Sequence, residues 1–261
     1  MAYFNIKIWS DALKRPVNFE MLIPNDIRRE FFAPEQAAPK QPIRTLFLLH
    51  GYNGSAGLWI DEQLAEKYNI AVVMPNGENS FWLDGISTGH KFCTFVGEEL
   101  PAYIRQTFNL ALSAEDTCIM GLSMGGFGAI HTALAYPDNF GKLAALSSAL
   151  IVHEVAGMRE GNGNPVANYE YYRECFGDPE KLLGSDNDPE ALIDKLLAEG
   201  KKLPGIFMAC GTEDFLIENN REFHRFLESR NVPHEYLEGP GIHDMNFWRE
   251  YGARSIEKMF G

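Results

Sequence analysis

Residues Ile119-Met120-Gly121-Leu122-Ser123-Met124-Gly125-Gly126-Phe127-Gly128 constrain this chain more than any other stretch. They read as a short apolar strand, a tight turn with a serine at its tip, and a helix of small residues. This is the sequence form of a nucleophile elbow, Gly-x-Ser-x-Gly. A serine at such a turn sits in strained backbone, and side chains two residues to either side would collide with strand and helix. By composition alone the bare motif arises about once in ten chains of this length. Its strand-turn-helix setting and its downstream partners therefore carry the weight.

The setting is an alternation of strands and helices. Residues 3–8 and 17–23 read as a hairpin, and 25–42 as a proline-rich loop. Continuous apolar runs at 45–49, 70–74, 117–120, 143–146 and 205–210, with 234–237, predict further strands, several of them buried on both faces. Helices are expected over about 58–68, 95–108, 124–136, 216–229 and 245–260. The rhythm implies a mostly parallel sheet of about eight strands with helices on both faces. At 261 residues, one domain spanning 1–261 is expected. Residues 153–203 break the rhythm. They read as an excursion with short helices, the clearest at 189–199 with Leu192, Ile193, Leu196 and Leu197 on one face. It either covers the substrate or simply connects two strands.

A serine hydroxyl needs a base, and the base needs an orienting carboxylate. Among the seven histidines, His243 lies on a loop after a strand and just before the last helix. His50 ends a strand at Gly51 and shapes a turn, His90 lies upstream in a loop, and His131 points away from the serine. His153 follows a strand and stays open as a candidate. His224 reads as solvated on a helix, and His234 begins a strand at its wrong end. For the acid, Asp214 in Cys210-Gly211-Thr212-Glu213-Asp214-Phe215 directly follows a buried strand. It could also cap the next helix, and Glu213 is the next candidate. The oxyanion hole needs two backbone amides. Met124, after the serine, supplies one, and Tyr52 in His50-Gly51-Tyr52 the other. The alternative for His50-Gly51 is a plain strand-ending turn.

Taken together, Leu48-Leu49-His50-Gly51, Val73-Met74-Pro75-Asn76, Glu98-Glu99-Leu100-Pro101, Gly121 to Gly126, Cys210 to Leu216, and His243 with Trp248 resemble the tributyrin-esterase branch of the esterase D / S-formylglutathione hydrolase family. That family also resembles the mycolyltransferases. The resemblance implies an α/β-hydrolase fold and serine carboxylesterase activity on short acyl esters. It implies Ser123, Asp214 and His243 as the triad, and Tyr52 and Met124 as oxyanion donors. Phe81-Trp82-Leu83-Asp84 stands where the family usually has Trp-Tyr-Thr-Asp, so Phe81 and Trp82 are expected at the substrate pocket. A thioesterase acting on S-formylglutathione, or an acetyl or feruloyl esterase acting on acylated carbohydrate, is the alternative.

The net charge of −13 repels phosphate backbones and anionic lipid, so the expected partner is a small ester rather than nucleic acid or membrane. It also disfavours anionic substrates unless Arg or Lys lines the pocket. A homo-oligomer is left open. No Cys-x-x-Cys pair suggests a metal site, and the inferred chemistry requires no cofactor. Cys118 and Cys210 read as core thiols. The first residues lack a leader pattern, which makes the cytoplasm the expected compartment.

Overall fold

The computed structural model describes residues 1–24 and 42–261. The proline-rich loop expected over 25–42 falls almost wholly outside the described residues. Among the described residues eight strands form one sheet in the order β1-β2-β4-β3-β5-β6-β7-β8. They are β1 (Ala2–Ser10), β2 (Arg15–Ile23), β3 (Arg44–Leu49), β4 (Ile70–Pro75), β5 (Thr117–Leu122), β6 (Lys142–Leu146), β7 (Gly205–Gly211) and β8 (His234–Gly239). The β1–β2 hairpin is antiparallel and joins β4 antiparallel. All remaining pairings are parallel.

Alternation along the central strands sorts the core into two layers. Phe47 and Leu49 of β3 join a cluster containing Ile104, Phe127, Ile130 and Leu227. Leu46 and Leu48 join one containing Ala65, Ile256 and Phe260. Helices α3 (Leu100–Phe108), α4 (Met124–Ala135) and α8 (Ile217–Ser229) therefore cover one face. Helices α1 (Glu62–Lys67) and α9 (Met245–Phe260) cover the other. This is the α/β-hydrolase arrangement. Among the described residues no helix is long and apolar enough to cross a membrane. All four cysteines are free thiols and buried.

Helix α1 is shorter than the pattern over 58–68 suggests. Asp61 accepts from the Gln63 amide and caps it there, while Trp59 and Ile60 ahead of the cap are buried in the core. The helix expected over 95–108 begins earlier, with α2 (Phe92–Thr94), and passes through a π-turn, Phe95–Glu99, into α3. Pro101 has no N–H to give the Gly97 carbonyl. The Asn139 amide donates to it instead, at 2.8 Å. Glu99, at the end of the π-turn, accepts from the Ser10 hydroxyl and the Asp11 amide, both at 2.6 Å. That fastens the β1–β2 turn to the body of the protein.

The excursion between β6 and β7 holds α5 (Val152–Val155), α6 (Tyr169–Phe176), a 3-10 turn (Pro179–Lys181) and α7 (Pro189–Ala198). Val155, Tyr172, Phe176, Leu182 and Ile193 bury into the same cluster as α4. Leu197, expected on the buried face of α7, is exposed. Tyr171 donates to the Asn79 carbonyl at 2.6 Å, and Ser87 donates to Glu174 at 2.7 Å. These bonds tie the excursion to the loop that carries Phe81 and Trp82.

Candidate active site

Ser123 caps α4 at the carboxyl end of β5, with φ 55° and ψ −119°. Its amide donates to Leu146 O, and its carbonyl accepts from Phe127 and Ala149. The flanking glycines have no room for a side chain. A Cβ on Gly121 would lie 2.0 Å from the Gly125 carbonyl oxygen, and one on Gly125 would lie 2.5 Å from the carbonyls of Leu49 and His50. The strained serine is thus held by surrounding backbone.

His243 Nε2 lies 2.9 Å from Ser123 Oγ. Its Nδ1 lies 3.0 and 2.9 Å from the two Asp214 carboxylate oxygens. A carboxylate only accepts, so Nδ1 carries the proton and Nε2 is free to accept from the serine hydroxyl. Asp214 is 2% exposed. Burial opposes its ionisation, but hydrogen bonds from His243 and the Leu216 amide outweigh it and hold the carboxyl below its usual value. The helix cap that the sequence allowed is not formed: Leu216 itself stands at the N-cap of α8 with no side-chain cap bond, and Asp214 Oδ1 accepts from the Leu216 amide at 2.9 Å in the turn before it. Glu213 has a different place. Its carboxylate accepts from the Gly241 amide at 2.8 Å, and its own amide donates to Gly241 O. The loop before His243 is clamped from both sides. Asp244 caps α9 through the Asn246 and Phe247 amides, and the Phe215 and Trp248 rings flank His243 at 4.5 and 4.8 Å between centroids.

The remaining histidines are accounted for by other contacts, His90 by its Nδ1 lying 3.2 Å from a Glu174 carboxylate oxygen. His50 is buried and accepts from the Gly77 amide through Nε2 at 2.9 Å. Burial keeps its pKa below the ordinary value. His131 is buried against the Asp186 carbonyl, and His153 faces Glu190 at 3.3 Å. His224 is not solvated as its neighbours in sequence suggested: it is half-buried, with Nδ1 2.7 Å from His234 Nε2.

A cavity of about 910 Å³ opens at Ser123. Tyr52, Met124, Phe81, Trp59, Tyr172, Phe215 and Trp248 are among its walls. Met124 is the first residue of α4, so its N–H has no acceptor within the helix. The loop carrying Tyr52 runs against the serine, because a Cβ on Gly51 would lie 3.3 Å from Ser123 Cβ. Phe81 lines the cavity and is otherwise buried, at φ 53°. Trp82 corrects the expectation placed on it. It stands behind the wall, fully buried, with its indole N–H donating to His50 O at 3.2 Å. The ring fills the space beside Gly77 and Gly128, where any Cβ would lie within 2.6 Å of it. Glu154, Asn164 and Val166 bring the excursion into the cavity lining. Sequence reasoning named none of the three, because nothing local distinguishes them from surface residues.

A family model named Esterase and described as "Putative esterase" matches residues 20–251. The chain belongs to this esterase family. It is 40% identical over 263 aligned positions to an acetyl esterase of Caldicellulosiruptor saccharolyticus, covering 99% of this chain and 98% of that protein. Among solved structures it is similar to a fluorophosphonate-binding serine hydrolase of Staphylococcus aureus, FphF, with a TM-score of 0.84 and 29% identity over 100% of this chain and 98% of the other. It is also similar to the S-formylglutathione hydrolase FrmB of the same organism, with a TM-score of 0.81 and 28% identity over 100% and 99%. The chain is an enzyme of the serine hydrolase class, an esterase.

Proposed function

We propose that this esterase is a serine carboxylesterase that hydrolyses short-chain acyl esters through Ser123, His243 and Asp214. The observation that carries this reading is the hydrogen-bonded run from Ser123 Oγ through His243 to Asp214 at the foot of the cavity. Ser123 attacks the ester carbonyl as Nε2 of His243 takes its proton. Asp214 orients the imidazole and stabilises its charged form. The amides of Tyr52 and Met124 receive the developing oxyanion. His243 then protonates the departing alcohol. Water, deprotonated by the same imidazole, attacks the acyl-enzyme and releases the acid. Phe81 contributes to the substrate wall, and Trp82 supports the loop behind it. Residues 1–261 act as one domain, the excursion completing the cavity.

The short-acyl preference is supported by the similarity to an acetyl esterase. A second reading, hydrolysis of S-formylglutathione, is supported by the similarity to FrmB. The test is turnover of p-nitrophenyl acetate, p-nitrophenyl butyrate and S-formylglutathione by wild type and by Ser123→Ala. The reading expects a loss of at least ~10³-fold in kcat for the variant. Equal rates in both proteins would end it. Higher kcat/KM on the thioester than on the oxygen esters would favour the second reading.

A further inference from the structure

With the short acyl group proposed above on Ser123, most of the roughly 910 Å³ cavity is left for the alcohol half of the substrate. Apart from His50 and His243, Glu154 is the one ionisable acid or base of ordinary charge at pH 7 among the described lining residues. It stands at the solvent side, exposed, at the end of α5. Its Oε1 accepts from the Asn219 side-chain amide at 2.8 Å. That amide also donates to the Leu150 carbonyl at 3.3 Å, so the carboxylate is positioned by a neutral donor that does not cancel its charge. Among the described residues no Lys or Arg forms an ion pair with it.

Aromatic side chains line the same space. Asn219 lies four residues beyond Phe215, whose ring is 73% exposed and lines the cavity together with Tyr52, Trp59, Tyr172 and Trp248. Aromatic faces attract cations through the ring quadrupole, and an uncompensated carboxylate adds a favourable field of the same sense. The net charge of −13 reinforces it at long range. An anionic alcohol would meet repulsion at the same mouth.

We propose that Glu154 is a specificity-determining residue which, with the aromatic wall, selects esters whose alcohol carries a positive charge, as in an amino alcohol or quaternary ammonium alcohol. This rests on the ester hydrolysis proposed above. The bond cleaved is the same acyl C–O bond, with water consumed and the protonated alcohol released.

The test compares acetylcholine with 3,3-dimethylbutyl acetate, an uncharged carbon isostere, in wild type, Glu154→Gln and Glu154→Lys. In wild type the ratio of kcat/KM, cation over isostere, is expected at about fivefold. It should fall toward one in Glu154→Gln and below one in Glu154→Lys. Raising the ionic strength on wild type alone should lower the ratio, because screening shortens to about 3 Å at 1 M salt. This arm holds even if a variant fails to fold. A wild-type ratio of one or less, or the same ratio in all three folded proteins, would overturn the proposal. Failure of wild type to hydrolyse p-nitrophenyl acetate would instead remove the underlying ester reading, so the two failures are distinguishable.

Discussion

At Gly121 a single added methyl would lie 2.0 Å from a backbone oxygen, whereas at Gly161 in the excursion it would meet nothing within 4 Å. The two sites belong to regions built on different terms. Around Ser123 the backbone of β3, β5 and α4 closes in from every side, and one geometry is enforced. Across the cavity, the 79–90 loop and the excursion are held by side-chain bonds such as Tyr171 to Asn79 and Ser87 to Glu174. Those leave room for substrate and for variation. We read the first region as fixing the reaction and the second as fixing what reacts.

The sharpest way to break this contrast is Asp214→Asn. The amide cannot hold the same imidazole tautomer, so kcat should fall by about 10⁴-fold in steady-state ester hydrolysis. A fall of less than tenfold would mean that the buried carboxylate only fixes the turn that leads into α8. The next effect is on folding. Gly121→Ala should cost about 3 kcal/mol or more, since only backbone could yield. Gly161→Ala, at φ +82° in open space, should cost about 1 kcal/mol through backbone strain alone. Urea unfolding of both variants decides this, and equal losses would erase the distinction between the regions.

The smallest effect is in pH. Burial keeps His50 and His131 neutral in the folded protein, with pKa values below the ordinary one. As pH falls through the unfolded value of about 6.5, the unfolded chain gains protons that these folded imidazoles refuse. Stability should therefore decline from there downward, and less steeply in His50→Gln. Asp214 acts in a lower window, stabilising above its unfolded value of about 3.9 and losing that contribution as pH falls through its depressed folded value. Unfolding free energies measured from pH 8 to 5 test the histidine term. A flat profile would mean that neither imidazole is held neutral.

The same contrast explains what could be read in advance. The elbow was legible because Gly121 is crowded by the Gly125 carbonyl four residues on, which leaves a fixed spacing in sequence, although Gly125 itself is crowded by the distant Leu49 and His50 carbonyls. Strand ends were legible from apolar runs, and these placed Asp214 and His243 near the serine. The wall was not legible. The resemblance to the family's Trp-Tyr-Thr-Asp loop puts Trp82 at the pocket, yet its indole binds a carbonyl 32 residues away. Glu99 falls within the helix expected over 95–108, and its partners lie almost ninety residues earlier. Glu213 clamps a loop 28 residues on, and the His224–His234 pair joins a helix to a strand. Such contacts depend on tertiary placement, and no periodicity announces them. The late start of α1 is of the same kind, because burial of Trp59 and Ile60 overrides a helical pattern.

The central claim is that Ser123 is the one residue acylated in turnover. Its most direct measurement is intact-mass and peptide-level mass spectrometry after brief treatment with a fluorophosphonate. The account predicts one adduct per chain, on the peptide containing Ser123, and none on folded Ser123→Ala. An adduct on any other residue, or equal labelling of the variant, would contradict it.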